Sequence, residues 1–235
     1  MEVTPRTAQA HVFVDDLDEL RLADDQAHHL IRVLRVPDGA PVTVGDGRGG
    51  WLPCRLSSDG DLTPIGDVVV DARPSPAITV GFALVKGDRP ELVVQKLTEV
   101  GVDVVVPFAA DRSVVRWDAA KAERQCERLA TIARQAAMQC RRTWVPRVEP
   151  LATFASVAAL PRVTMADAAG DPPSLHAPTV LVGPEGGWSD DERAIGLPTV
   201  RFGAHVLRSE TAAITAGAIL VALRSNLVKS MSAPL

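Results

Sequence analysis

Leu181-Val182-Gly183-Pro184-Glu185-Gly186-Gly187-Trp188-Ser189 is the stretch on which the fold of this chain turns. Its first residues continue an apolar run from Thr179 through Gly183, of the kind that fills a strand buried on both faces. Three glycines and a proline end that strand and leave a loop nearly bare of side chains. Ser189-Asp190-Asp191-Glu192 then has the S-x-x-E form of a capping box, so a helix starts directly behind the loop. Strand, bare loop and helix in that order put the loop at the carboxyl end of a parallel strand, where open α/β sheets take up ligands. A plain connecting turn is an equal reading on composition alone.

The segments on either side repeat the alternation. Residues 78–85 form an apolar strand, Pro90 suits the first turn of a helix running through Val100, and Gly101 stops it. Residues 102–108 read as the next strand, 119–142 as a long helix, and 162–166 as a further strand. After a strand at 199–202 comes Gly203-Ala204-His205-Val206-Leu207-Arg208-Ser209-Glu210-Thr211, leading into an apolar helix over 212–227. Thr211 is a candidate N-cap, whereas caps do not account for Arg208 and Glu210. The fold class is α/β, with a mostly parallel sheet covered on both faces.

The long helix carries an apolar stripe of Leu129, Ile132, Ala133, Ala136, Ala137 and Cys140. Arg124, Arg128, Gln135 and Arg142 share another face, with Arg116, Arg134, Arg141 and Arg147 around it. Residues 112–147 hold nine Lys/Arg against three Asp/Glu, while residues 1–70 hold six against twelve. The chain's net charge of −4 therefore averages an acidic front and a basic middle, and local patches govern phosphate binding. A solvated helix face and an RNA phosphate track stand level for these arginines.

The first seventy residues read as a small, mostly β module. Strands are expected at 11–14, 41–44, 51–56 and 67–70, with Asp24 capping a helix over 26–36 whose Ala27, Leu30, Ile31 and Leu34 face inward. Gly45-Asp46-Gly47-Arg48-Gly49-Gly50 satisfies the dinucleotide pattern but leads into the strand-like Trp51-Leu52-Pro53-Cys54, so it reads as a hairpin. Arg73-Pro74-Ser75-Pro76 interrupts both helix and strand, which puts a domain boundary there, with 1–72 before it and 73–235 after. No P-loop, HExxH or G-x-S-x-G motif is present, and the histidines lack metal-ligand spacing. Three cysteines without CxxC spacing argue against a disulfide framework and against a zinc site. No signal peptide and no bilayer-length apolar run is seen, so a cytoplasmic protein without membrane attachment is expected.

Residues 181–189 together with Leu207-Arg208-Ser209-Glu210-Thr211-Ala212 closely resemble the bacterial 16S ribosomal RNA uracil-N3 methyltransferases, members of the SPOUT class. The resemblance continues through His28-His29-Leu30-Ile31-Arg32-Val33-Leu34-Arg35, Gln95-Lys96-Leu97-Thr98-Glu99-Val100-Gly101, Pro107-Phe108, Arg112-Ser113, Gln139-Cys140-Arg141-Arg142 and Val145-Pro146. It covers nearly the whole chain in the family's order. Met138 stands where the family usually has an acidic residue, and Ser209 where threonine is commoner.

The resemblance implies a small N-terminal PUA-like β-barrel for RNA and a C-terminal SPOUT domain with a deep trefoil knot, working as a homodimer. It implies S-adenosyl-L-methionine as cofactor, methylation of uridine N3, 16S rRNA in the small ribosomal subunit as partner, and no metal. Val182, Gly183, Glu185, Gly186, Gly187, Phe202, Gly203, Leu207, Arg208 and Thr211 fall on its cofactor loops. Arg208 is the candidate for stabilising a uracil anion. Glu210 is either a base or a structural partner of Arg208. His29, Arg32, Arg35, Arg112, Arg124, Arg128, Gln139 and Arg142 are the RNA-side candidates. Two other functions stay open on sequence: a SPOUT enzyme acting on another base or ribose, and a non-catalytic ribosome assembly factor on the same scaffold.

Overall fold

The computed structural model describes residues 2–228, so Met1 and residues 229–235 of the expected domains lie outside the described residues. The chain divides into two compact units. One comprises the residues through Arg73 together with Arg134–Val145, and the other comprises Pro74–Ala133 with the residues from Pro146 onward.

In the first unit, β1 (His11–Phe13) precedes α1 (Asp24–His28), β2 (Ala40–Gly45), β3 (Gly50–Leu56), β4 (Leu62–Pro64) and β5 (Val69–Val70). β1 runs parallel to β2, and β3 is antiparallel to β2, β4 and β5. The glycine-rich 45–50 stretch is a hairpin as expected, with Gly45 opposite Trp51 and Asp46 Oδ1 accepting the Gly50 N–H at 3.0 Å. Val12, Leu30, Val42, Val44, Leu52 and Leu56 form the core.

The front helix differs from expectation in three respects. Its N-cap is Ala23, with no side-chain bond, and Asp24 is already helical. From His29 the turn widens to π geometry through Val33, with the Leu34 N–H reaching the His29 carbonyl. The extra residue per turn rotates the following side chains off the inner face, leaving Leu34 50% exposed, and Arg35 closes the segment at φ 52°.

In the second unit, β6 (Thr79–Ala83), α2 (Arg89–Val100), β7 (Val104–Ala109) and the long α3 (Ala119–Gln139), whose residues from Arg134 belong to the first unit, follow the anticipated order. The boundaries of α2 agree with the sequence, down to Gly101 as a left-handed C-cap. β8 (Arg147–Val148), β9 (Ala152–Thr153) and α4 (Phe154–Ala158) come next and were not foreseen; strands of two residues leave no periodicity to read. β10 (Val163–Asp171), β11 (Thr179–Val182), α5 (Asp190–Ala194), β12 (Thr199–Val200) and α6 (Ser209–Arg224) complete it. Among the described residues the sheet order is β12-β10-β11-β6-β7-β8, with β9 also on β7, and every pairing is parallel.

The sheet is covered on both faces. Val80, Phe82, Val105, Val180 and Val182 pack with the inner sides of α2 and α6 and with Leu129 and Ala133 of α3. The alternate residues Ala83, Val106, Phe108, Leu181 and Met165 pack with Phe154, Val157 and Trp188. Period-two alternation sends each strand's apolar residues to both faces, which is why the strands read as continuous apolar runs. α6 is anchored at its far end by a buried ion pair between Arg224 and Asp103, whose Oδ2 also accepts the Ile78 N–H at 2.8 Å.

α3 ends at Gln139, short of the expected Arg142. Arg141 adopts a left-handed backbone (φ 62°), and its guanidinium donates to the carbonyls of Pro5, Arg6, Ala8 and Gln9, all in the first unit. No helix among the described residues is long and apolar enough to cross a membrane.

Candidate functional site

Three loops meet at the carboxyl edge of β10, β11 and β12. They enclose a cavity of about 480 Å³ lined by Val182, Gly183, Glu185, Gly187, Trp188, Phe202, Gly203, Leu207, Arg208 and residues near Asp167. Parallel strands ending together leave such a crevice, and the size is that of a small-molecule site. The Ser209 hydroxyl donates to the Gly183 carbonyl at 2.8 Å, tying the second loop to the first.

The first loop is shaped from behind. The Ser189 side chain accepts the Glu192 N–H at 3.1 Å, and Glu192 Oε2 accepts the Ser189 N–H at 2.8 Å, so the capping box read from the sequence is complete. Glu192 Oε1 accepts the Asp111 N–H at 2.9 Å, and the Ser189 hydroxyl donates to Asp111 Oδ2 at 2.5 Å. Trp188 stacks on Phe108 with ring planes 5° apart and donates from Nε1 to the Ala166 carbonyl at 3.0 Å. Such stacking adds about 0.5–1.5 kcal/mol beyond the area buried.

The glycines of this loop have different physical reasons. A Cβ on Gly186 would lie 3.1 Å from Arg112 Cβ, so that glycine admits a neighbouring loop rather than a ligand. Gly187 has φ +69°, a conformation that disfavours side chains. Gly183 lies against the Trp188 ring, where a Cβ would sit 3.0 Å away.

The second loop brings Leu207 and Arg208 to the cavity, with Arg208 as the N-cap of α6. Thr211, the anticipated cap, is inside the first turn, because the helix begins two residues earlier at Ser209. Arg208 is exposed and enters no ion pair among the described residues. Glu210 does not pair with Arg208. Its Oε1 lies 3.7 Å from Arg89 Nε, and Arg89 Nη1 donates to Glu185 at 2.8 Å. One guanidinium at the start of α2 thus faces a carboxylate from each loop. Gly186, Glu210 and Thr211 are outside the cavity lining.

Of the RNA-side candidates, His29 and Arg32 lie on the π-turn of the first unit with exposed Arg35 just beyond it, and Gln139 and Arg142 belong to that unit as well. Arg112, Arg124 and Arg128 belong to the second. Arg128 pairs with Glu91 at 2.9 Å, and Arg112 reaches toward the Gly186 carbonyl at 3.5 Å. Arg141, which adds to the charge of the basic run, spends its guanidinium on backbone carbonyls.

Sequence reasoning missed Arg89, Asp167 and Arg193. Asp167 follows the buried part of β10, and Arg193 Nη1 donates to its Oδ2 at 2.9 Å. Its pKa is lowered, first by the Ala169 N–H and then by the Arg193 hydrogen bond. The position of Asp167 at a strand's carboxyl end was the available signal, blurred by the flanking alanines.

A parallel sheet with two loops folded onto one crevice is a small-molecule site of the α/β class, and the family models say which one. Residues 73–221 match the model of the RNA methyltransferase domain, and residues 22–64 match that of the RNA methyltransferase PUA domain. The chain belongs to the ribosomal RNA small subunit methyltransferase E family. It is 30% identical to the Mycobacterium bovis protein of that name over 223 residues, covering 82% of each chain. It is 31% identical to the Synechocystis one over 223 residues, 86% of this chain and 72% of that one. The crystal structure of the Neisseria gonorrhoeae protein bound to S-adenosyl methionine superposes with a TM-score of 0.73 at 26% identity, covering 91% and 97%.

Proposed function

We propose that this RNA methyltransferase transfers the methyl group of S-adenosyl-L-methionine to N3 of a specific uridine of 16S rRNA in the small ribosomal subunit. The observation that carries the reading is the convergence of residues 183–189 and 203–209 on one cavity, joined by the Ser209–Gly183 bond. The cavity fits the cofactor. Its volume suits a nucleoside with an amino-acid tail, its walls are largely apolar, and Glu185, Asp167 and Arg208 supply a few polar groups. When bound, S-adenosylmethionine supplies a methyl group on a sulfonium, open to in-line displacement.

Val182, Gly183, Glu185, Gly187, Phe202, Gly203 and Leu207 hold the cofactor, and Gly186 and Thr211 shape the loops around it. The remaining work of the chain is positioning and charge. A neutral uracil N3 is a poor nucleophile, so its proton must leave as the bond forms. Arg208, unpaired at the cavity wall, stabilises the anion that develops on the base. Glu210 is the weaker base candidate, because Arg89 already faces its carboxylate and it lies outside the cavity lining. The target base must be unstacked to present N3, and both loops must hold it in near-attack geometry.

Residues 1–72 act as a PUA-like barrel that reads RNA, with His29, Arg32, Arg35, Gln139 and Arg142 meeting the phosphates and target loop. Residues 73–235 form the SPOUT catalytic domain, to which Arg112, Arg124 and Arg128 add RNA contacts. A trefoil knot is supported by the pairing at Val200. Ala166 and Asp171 both partner it, and Arg201 bonds back to Gly170 and Asp171, before the chain returns against β11 as α6. A homodimer is supported by the half-buried apolar side of α6, which includes Ile214, Ala218 and Ile219, and by exposed Leu92 on α2. A cytoplasmic location is supported by the proposed rRNA substrate.

The test uses small subunits lacking the modification, purified protein and S-adenosylmethionine, followed by digestion of the rRNA and mass spectrometry of its nucleosides. New 3-methyluridine is expected. A different methylated nucleoside would keep the methyltransferase and remove the acceptor assignment. No methylation and no cofactor binding would favour the assembly-factor scaffold.

A further inference from the structure

Asp167 is a carboxylate at the cavity wall that the reaction chemistry above does not use. It lies just past Ala166, where β10 leaves the ladder, and its side chain retains 20% exposure. Oδ1 accepts the Ala169 N–H at 3.0 Å, locking the side chain against its own backbone. Oδ2 accepts Arg193 Nη1 at 2.9 Å from α5, the helix that follows the glycine loop. A carboxylate has about four lone-pair positions, so two stay open after these bonds. Its lowered pKa agrees with a group kept as an acceptor.

We propose that Asp167 is a recognition residue that accepts hydrogen bonds from the ribose hydroxyls of the methyl donor, with Arg193 as its positioning partner. The assignment rests on the reading of this cavity as the cofactor site. Pairing with Arg193 leaves the Asp167–Arg193 couple without net charge. A cationic group of the ligand would therefore gain little Coulomb energy there, whereas a hydroxyl needs only the open lone pairs. A vicinal diol fits a carboxylate that is rigid, held on both oxygens and open on one side. Ala166 and Ala168, its neighbours in the chain, also line the cavity and carry no side-chain donor. Arg193 is 51% exposed and acts through Asp167, not on the ligand.

The experiment is a cycle of ligand and protein changes read by calorimetry. S-adenosylmethionine, 5′-methylthioadenosine and its 2′,3′-dideoxy analogue are titrated into wild type, Asp167→Ala, Asp167→Asn and Arg193→Met. In wild type, removing the two hydroxyls is expected to weaken binding about 10- to 100-fold. Asp167→Ala should bind both nucleosides equally, Asp167→Asn should keep part of the discrimination, and Arg193→Met should reduce it. Discrimination between ligands does not depend on how stable the variant is, so a merely structural role would leave it intact. Unchanged discrimination in Asp167→Ala would overturn the proposal while the cofactor site stood. An Asp167→Ala loss seen with S-adenosylmethionine but not with 5′-methylthioadenosine would place the carboxylate at the amino-acid end and overturn it too. Absence of binding by wild type would remove the cofactor reading, and this assignment with it.

Discussion

Glu192 separates the shape of the glycine loop from its sequence. The residue is 2% exposed, and its two oxygens accept the backbone N–H groups of Asp111 and Ser189 at 2.9 and 2.8 Å. Glu192→Gln keeps size and shape but turns one acceptor into an NH2 group that meets a backbone N–H. One strong hydrogen bond is lost and one backbone donor is buried without a partner, a cost of about 1.5–3 kcal/mol. The box lies directly behind the loop, so the cost falls on its folded shape, and S-adenosylmethionine affinity should drop by about 10- to 150-fold. Calorimetric titration reads the affinity, and urea unfolding of the same sample reads the global stability. Glu192→Ala, which removes both bonds, should lose more. An unchanged affinity beside a lowered urea midpoint would refute the link from box to cofactor loop. If neither quantity moved, the network would carry no weight at all.

Gly186→Val should weaken S-adenosylmethionine binding about 5- to 150-fold in the same titration, because its side chain meets Arg112 Cβ and the Arg112 carbonyl; normal affinity would detach this glycine from the loop's working shape. Arg224→Met should lower stability in urea by about 3–5 kcal/mol, since it leaves the buried Asp103 carboxylate without its cation; a loss below about 1 kcal/mol would contradict the anchoring of α6. His11 is buried against Thr43, and desolvation lowers its pKa to about 4, so the folded form stays neutral where the unfolded form takes up a proton. Its contribution is present above the unfolded pKa of about 6.5 and is lost as pH falls toward 4, amounting to about 2 kcal/mol at pH 5. Urea midpoints at pH 7 and pH 5 should show that loss, and His11→Gln should flatten it. Cys54, buried with its thiol pushed up to about 11, should resist thiol reagents at pH 8 in the native protein and react once it is unfolded.

The strands and helices of the second unit were legible because their signals are local. Continuous apolar runs marked β6, β7 and β11, Gly101 marked the end of α2, and Ser189-x-x-Glu192 marked the start of α5. Where the reading failed, a distant partner had decided the outcome. Arg141 stops α3 because four carbonyls of residues 5–9 wait for its guanidinium, a contact across more than 130 positions of sequence. The π-turn at His29 shifts the helical period, so Leu34 leaves the inner face that simple spacing assigned to it. Very short strands such as β8 and β9 exist only because β7 offers an edge.

The sequence by itself determined the α/β alternation, the family and the two loops that carry its motifs, because strand burial, helix capping and glycine loops are written in neighbouring residues. Only the tertiary structure decided who faces whom. It paired Glu210 with Arg89 instead of Arg208, left Arg208 open at the cavity, set Gly186 against Arg112, and brought Asp167 and Arg193 to the same wall. These are contacts between segments tens of residues apart, fixed by the order in which parallel strands lie side by side. That order brings β10, β11 and β12 to one edge of the sheet, and their three loops with them. No local pattern encodes such adjacency, since the strands joined in space are separated in the chain by the helices that cover them.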